Sequence, residues 1–401
     1  MDIKILKEAA LKFGTPIYLY DLKIIENQFD RLNKVLSVLK NYKIHFAAKS
    51  LSNISILKFM KKLGAGLDAV SIEEVMIGLK CGFNKDEILY TPNGVSFEEI
   101  KRVFKLGVKI NLDSIESIKD FVNEFGNQSI TVRINPGIYA GGNKNVSVGH
   151  LESKFGITED RMHELKDMEV KGKIKITGLH IHTGSDITNS NKFKEGIKKI
   201  FFIARDFKNI ETIDLGGGIK IPYYDNDTST NLNDYVEEVS KELKKFEIEF
   251  NKKLKLIFEP GKFLVSDSGF LITQVNYVKS SSTKEFIQLN SGFNHLLRPI
   301  LYGSHHEVIN LNNPEGRKKE YDVVGYICEK DTFAEKRKIP NTSKGDLICF
   351  RNAGAYCFNM ASNYNSRPRP AEICFYKEKF HKIRKAEDLN DLLENQIDIF
   401  S

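Results

Sequence analysis

The feature that most limits what this chain can fold into is a rhythm. Short apolar runs recur at residues 44–49, 67–71, 88–93, 108–113, 130–136, 176–184, 212–218 and 254–261, most of them separated by amphipathic stretches with helical spacing. Eight alternating strand and helix units predict an α/β fold, a (β/α)8 TIM barrel rather than an open doubly wound sheet. Helix starts agree with this. Ser71 with Glu74, and Ser96 with Glu99, have capping-box spacing, in which each hydroxyl takes a first-turn amide. From about Asp267 the rhythm changes. Strand-like runs follow at 270–278, 285–289, 321–328, 346–350 and 371–376 without clear helices between them. Turn sequences at Asn313-Pro-Glu-Gly316 and Lys344-Gly-Asp346 suit a C-terminal antiparallel β domain, and the last residues suggest a helix with a frayed tail. Ahead of the barrel, Thr15-Pro-Ile-Tyr-Leu-Tyr20 is an extended piece followed by a helical pattern.

Composition excludes several classes. The 401 residues are 28% charged and 41% hydrophobic, the make-up of a soluble globular protein with enough chain for two domains. The net charge of +7 comes from scattered lysines without a basic run interleaved with aromatics, which argues against a nucleic-acid partner. No apolar run approaches the roughly 20 residues that span a bilayer, and the N-terminus lacks a signal-peptide core, so no membrane partner and a cytoplasmic location are expected. Five cysteines, Cys81, Cys328, Cys349, Cys357 and Cys374, are an odd number without metal-type spacing, the pattern of reduced thiols.

In a TIM barrel chemistry gathers at the C-terminal ends of the strands. The unusual polar residues sit at those ends: Lys49, Asp68, Asn93, Asp113, Asn135, His182 and Glu259, with glycines 216 to 218. An amine at the rim of an apolar strand loses hydration, which favours the neutral nucleophile and makes Lys49 a candidate Schiff-base lysine; alternatively it is a strand-end lysine reaching solvent. Gly216, Gly217 and Gly218 can bring backbone amides to a phosphate, or simply make a tight turn. His180 and His182 share a face under a period of two; a metal pair there lacks a third ligand at a convincing spacing, so no metal is expected. His182 suits packing flat against an aromatic cofactor, and Ser185 can add a hydroxyl to the phosphate. Glu259 can hold a pyridine nitrogen protonated, making the ring an electron sink, or it can pair with a structural lysine. Lysine, phosphate cradle and carboxylate together imply pyridoxal 5'-phosphate.

These residues belong to longer motifs. Thr15-Pro-Ile-Tyr18, Phe46-Ala-Ala-Lys49, Arg133-Ile-Asn-Pro-Gly137, Ser153-Lys-Phe-Gly156, His182-Thr-Gly-Ser185, Gly216-Gly-Gly218 and Glu259-Pro-Gly261 resemble the alanine-racemase-fold (fold type III) pyridoxal-phosphate decarboxylases. Arg298-Pro-Ile-Leu-Tyr302, Cys328-Glu329 and the run from Gly354 to Glu372 resemble the branch that acts on meso-diaminopimelate, at the last step of lysine biosynthesis. The resemblance implies a barrel over residues 31–266 and a β domain formed by 1–30 and 267–401, which takes in the N-terminal strand. It implies that Lys49 holds the cofactor, His182 stacks on it and Glu259 pairs with its nitrogen. Ser185, Gly216, Gly217, Gly218, Gly261 and Tyr356 would bind it through the phosphate and its surroundings. Arg298 and Tyr302 would grip the retained carboxylate, Glu329 would read the distal ammonium, and Lys262 and Tyr356 would also line the substrate. Cys328 would come from the second subunit of a homodimer, with active sites at the interface, and take part in reprotonation.

The chain departs from the family pattern in four places. Lys262 replaces an arginine, Cys328-Glu-Lys-Asp331 is one residue shorter than Cys-Glu-x-x-Asp, Asn290-Ser-Gly292 stands for Asp-Ala-Gly, and Asn294-His295 for Asn-Asp. A lysine is a point charge without arginine's planar fork. These changes leave open a related decarboxylase acting on ornithine, arginine or a carboxylated polyamine; a non-catalytic cofactor-binding protein is the remaining alternative. Arg298 as a surface residue, Cys328 as a small buried hydrophobe, and Tyr364, Arg367 and Arg369 as interface residues also stay open.

Overall fold

The computed structural model describes residues 1–139, 149–187 and 190–400. The chain divides into two compact units, Gln28–Pro222 with Thr228–Leu264, and Met1–Asn27 with Tyr223–Asp227 and Val265–Ser401.

Strand β1 (Ile17–Asp21) belongs to the second unit. The first unit is a closed parallel barrel of β2 (Tyr42–Ala47), β3 (Gly66–Ala69), β4 (Ile88–Tyr90), β5 (Lys109–Leu112), β6 (Ser129–Ile134), β7 (Lys175–Ile181), β8 (Thr212–Asp214) and β9 (Lys255–Phe258). Pairing of Ile44 with Phe258 and Lys43 with Ile257 closes the ring. Each expected strand is present, but all eight stop short of the expected end. β2 ends at Ala47, and Lys49 sits in the 3-10 turn Ala48–Ser50; β8 ends at Asp214, ahead of the glycines. The polar residues read as strand ends lie on or just beyond the last rung, where backbone released from the ladder can turn its side chains inward.

Helix starts are only half as expected. Ser71 Oγ accepts the amide of Glu74 and Ser96 Oγ that of Glu99, but neither carboxylate returns the bond to its cap. Glu74 takes the amide of Val70 at 2.9 Å. Glu99 takes the amide of Ile72 at 3.0 Å, the first residue of the neighbouring helix, and the Tyr90 hydroxyl at 2.6 Å. An anion at that helix start is worth more than closing its own box, because it takes a first-turn amide and faces the positive end of another dipole.

The second unit is a nine-stranded sheet. It contains β1, β10 (Gly269–Ser280), β11 (Glu285–Leu289), β12 (Val308–Asn310), β13 (Lys318–Val324), β14 (Thr332–Pro340), β15 (Leu347–Phe350), β16 (Ala371–Tyr376) and β17 (Lys379–Arg384). The expected antiparallel pairing holds except for β1 with β16 and β11 with β13, which are parallel. Helix Ile3–Phe13 lays Leu6, Ala9 and Ala10 on Ile17, Leu19, Phe270, Ile272 and Ile373 to form this unit's core. The chain leaves β13 at Val324, so Gly325–Cys328, read as strand, is a turn. β14 and β17, which carry Glu335-Lys-Arg-Lys338 and His381-Lys382, escape an apolar pattern because they are charged strands at the two ends of the sheet path. The expected C-terminal helix shrinks to Leu389–Leu393. No helix among the described residues is long and apolar enough to cross a membrane. None of the five cysteines forms a disulfide, and of the five only Cys328 is exposed.

Candidate active site

The barrel interior is polar. A period of two puts Asp68, Asn111, Arg133 and Asp214 on one face of their strands, and Leu67, Leu112, Val132 and Ile213 on the other. All four polar residues are buried. Lys49 Nζ lies 3.3 Å from Asp68 Oδ2. The Lys49 side chain keeps 40% exposure while that of Asp68 keeps 2%. Lys49 is therefore not dehydrated by an apolar rim, as its sequence setting suggests; it is half-exposed and ion-paired. Burial, then the charge of Glu259, push the Asp68 carboxyl up to about 7 against the pull of Lys49.

Glu259 follows β9, and its Oε2 is 3.0 Å from His180 Nε2, with both side chains buried. Burial works to raise its pKa, but His180, Lys49 and His182 outweigh that and hold the carboxyl well below the usual range. Burial and the charge of Glu259 push Asp214 well above its ordinary value. Of the two neighbouring acids, negative charge is favoured on Glu259 over Asp214. Buried Arg133, its guanidinium 4.5 Å from the Phe155 ring centroid, faces the same acids. Glu259 Oε1, Asp214 Oδ2 and His180 Nδ1 are buried without a hydrogen-bond partner among the described residues. Among the described residues, the ligand atoms that could converge on a cation are those of His180, Asp214 and Glu259, within 4.8 Å of one another, rather than the His180–His182 pair weighed from sequence. Coordination there would cost the His180–Glu259 bond.

His182 Nδ1 accepts the amide of Gly217 at 3.2 Å. Burial, then Arg133 and Lys49, lower its pKa well below the usual value, so the ring is neutral. A Cβ at Gly216 would lie 2.5 Å from Ile181 O, at Gly217 2.6 Å from Glu259 O, and at Gly218 2.5 Å from Gly184 O. Gly216 and Gly218 also have φ of 63° and 100°. The close approach of β7, β8 and β9 ends is enough to require glycine. The amides of Gly216 and Gly217 already bond to Asp214 Oδ1 and His182. Ser185 is half-buried beside Asp186, whose carboxylate pairs with Lys262 Nζ at 2.6 Å. Gly261 packs on Ser50, where a Cβ would be 3.0 Å away, so the Glu259 loop is seated against the Lys49 turn.

In the second unit Arg298 is buried, not a surface residue. Its Nη2 reaches the Tyr223 hydroxyl at 3.3 Å, and its guanidinium lies 5.5 Å from that ring's centroid. His306 meets Tyr223 edge-on, and burial and then Arg298 bring its pKa down to about 3. Tyr302 ends the short helix Arg298–Tyr302. Cys328 is exposed, not a buried hydrophobe; its amide bonds to Asn365 Oδ1 at 3.3 Å, and Glu329 accepts the Tyr364 hydroxyl. Tyr356 has φ of 58°, an uncommon backbone for a bulky residue and one that concentrates at functional sites. Arg369 pairs with Glu387, and Arg367 lies over Tyr326, 4.1 Å from the ring centroid.

The family described as "Pyridoxal-dependent decarboxylase, pyridoxal binding domain" matches residues 22–266. The chain belongs to the pyridoxal-dependent decarboxylases. Among curated relatives, the diaminopimelate decarboxylase of Methanothermobacter thermautotrophicus is 34% identical, the match covering 97% of this chain and 93% of that one. That of Haemophilus influenzae is 32% identical over 96% of this chain and 94% of its own. The crystal structure of diaminopimelate decarboxylase from Helicobacter pylori complexed with L-lysine is 33% identical and superimposes with a TM-score of 0.89 over 97% of this chain and 98% of that chain.

The barrel fits the cofactor of such decarboxylases. Glu259 Oε1 is a buried acceptor without a donor, and a protonated ring nitrogen would supply one. Lys49, the neutral His182 and Glu259 belong to one electrostatic set, since each of the other two shifts Glu259. Asp68, Arg133, Asp214 and Asp186 were not assigned roles from sequence. The signal for the first three was their alternation with apolar residues on single strands; for Asp186 there was none, because Lys262 meets it only through the fold.

Proposed function

We propose that this chain removes carbon dioxide from meso-2,6-diaminopimelate to give L-lysine, as a pyridoxal-phosphate-dependent carboxy-lyase and the final step of lysine biosynthesis. The observation that supports this most is the buried, charged Glu259 held by His180, with one carboxylate oxygen left without a donor. When bound, the cofactor supplies a protonated ring that takes up the electron pair left behind as carbon dioxide departs.

Lys49 would hold the cofactor covalently, with Asp68 as a proton store beside it. Glu259 would face the ring nitrogen, and His180 keeps that carboxylate charged and oriented. His182, neutral, would lie against the ring. Ser185, Gly216, Gly217, Gly218, Gly261 and Tyr356 would bind around the phosphate. Arg298, buried and oriented by Tyr223, would grip the retained carboxylate with Tyr302, and Glu329 would read the distal ammonium. Lys262 and Tyr356 would line the substrate, Lys262 with its charge shared by Asp186. Cys328 would return a proton to the α-carbon, reaching it from the second subunit of a homodimer. We place the enzyme in the cytoplasm, with domains of residues 31–266 and of 1–30 with 267–401. A substrate lacking either distal charge leaves a charged group unpaired, a loss of roughly 1.5 to 3 kcal/mol per bond.

The test is carbon dioxide release from meso-diaminopimelate with L-lysine identified as product, beside ornithine, arginine and the LL-isomer. Release from the meso compound alone is expected. Release only from another amino acid would leave fold and cofactor standing and mark the departures around Lys262 and Cys328 as a changed specificity.

A further inference from the structure

The turn that carries Cys328 and Glu329 is one residue shorter than its family pattern, yet it is closely braced. Gly325 N donates to Asp331 O at 2.9 Å, closing the turn on itself. The Asp331 side chain then fills the turn's interior. Its Oδ2 accepts the amide of Ile327 at 2.8 Å, and its Oδ1 accepts the amide of Phe293 at 2.7 Å. The carboxylate fits because two glycines make room. A Cβ at Gly325 would stand 2.1 Å from Asp331 Oδ2, and one at Gly292 2.7 Å from it.

The Phe293 bond extends the brace to the far side of the turn. The Phe293 ring stacks on Tyr364 with centroids 5.8 Å apart, and Tyr364 donates its hydroxyl to Glu329. Neighbouring Asn365 accepts the amide of Cys328 at 3.3 Å. One buried carboxylate therefore ties the turn, through the backbone at Ile327 and through Phe293 and Tyr364, to the two side chains it presents. Asp331 is 5% exposed, whereas Cys328 and Glu329 are exposed. A charge buried at the base of an exposed turn, with both oxygens spent on amides, holds backbone conformation rather than meeting substrate.

We infer that Asp331 is a positioning residue that fixes the shortened turn so that Glu329 and Cys328 are presented together, and so sets discrimination for the substrate's distal ammonium. The inference rests on the reading of Glu329 given above. It also accounts for the shortening: the brace is local, two amides and a ring stack, and needs no further residue.

The test compares meso-diaminopimelate with 2-aminopimelate, which lacks the distal amino group, in the holoenzyme. Asp331→Asn keeps the size but turns an acceptor toward an amide into a donor. Asp331→Ser, a smaller side chain that adds no bulk against the turn and falls short of bonding both amides, serves if the first variant fails to fold. Both are expected to lower the ratio of kcat/KM for the two substrates about tenfold, as Glu329→Gln does, with the absorbance of bound cofactor unchanged. A loss shared equally by the two substrates, or no change while Glu329→Gln lowers the ratio, overturns the role of Asp331. If Glu329→Gln itself leaves the ratio unchanged, the reading of Glu329 falls and this inference falls with it.

Discussion

The two sets of candidate residues are built on opposite plans. In the barrel, Asp68, Arg133, His180, Asp214 and Glu259 are buried and answer one another, so their charges are fixed by burial and by neighbours within one ring of strands. In the sheet unit, Cys328 and Glu329 are exposed at the tip of a turn, and only its base is buried. The first plan sets protonation states before any substrate arrives. The second sets direction and leaves the groups to meet something brought to them. On the proposed function, the difference would separate the chemistry of the electron sink, which needs a dry fixed field, from recognition and proton delivery, which need access.

The largest expected effect tests the closed set. Lys49→Ala should abolish turnover, and borohydride reduction followed by mass mapping should find cofactor mass on Lys49 in the parent and on no lysine in the variant. Cofactor mass on another lysine in the parent would break the barrel side of the comparison. Next, Cys328→Ala should lower kcat about a hundredfold by removing a proton donor while leaving the thermal midpoint in place, because an exposed thiol contributes little packing. A fall in thermal midpoint matching the fall in rate would mean the turn is structural and the contrast false.

A smaller effect reads the field itself. Burial and then the charge of Glu259 push the folded Asp68 carboxyl from its ordinary 3.8 up to about 7, so between those values the folded state binds more protons than the unfolded one. Its contribution to stability is greatest below that window and declines as pH rises through it. Asp68→Asn should flatten this part of the dependence of urea midpoint on pH, and an unchanged slope would remove Asp68 from the set. The smallest effect is at Lys262. Lys262→Arg should change kcat/KM by less than tenfold, since Asp186 can pair with either cation, and Asp186→Asn should act in the same place.

The barrel was legible because its signal is repetition, and polar residues interrupting an apolar period announce where the interior faces. Lys49 and Glu259 are singled out as candidates in this way. What remained hidden were partnerships across strands. The pairing of Lys49 with Asp68 depends on β2 lying beside β3 in register, where Ala47 meets Asp68. The glycines at 216–218 read as a ligand cradle, yet strand ends crowding one another already demand them. In the sheet unit, β14 and β17 were missed because charged strands carry no apolar alternation, and Asp331 was noted only as the end of a shortened motif.

One pairing described above has a consequence for how the chain is made. β1 lies between β10 and β16, its Ile17 opposite Ile272 on one side and Ala371 on the other. During synthesis the barrel strands emerge next to the strands they pair with, so that unit is expected to be complete while the ribosome is still working. β1 emerges before all of them and waits for β10, which follows the barrel, and for the later β16, at the entropic cost of closing a loop around the whole barrel sequence. Until β10 follows the barrel its apolar residues have no strand to pair with, and a nascent chain released before residue 269 would be a barrel carrying an orphan strand.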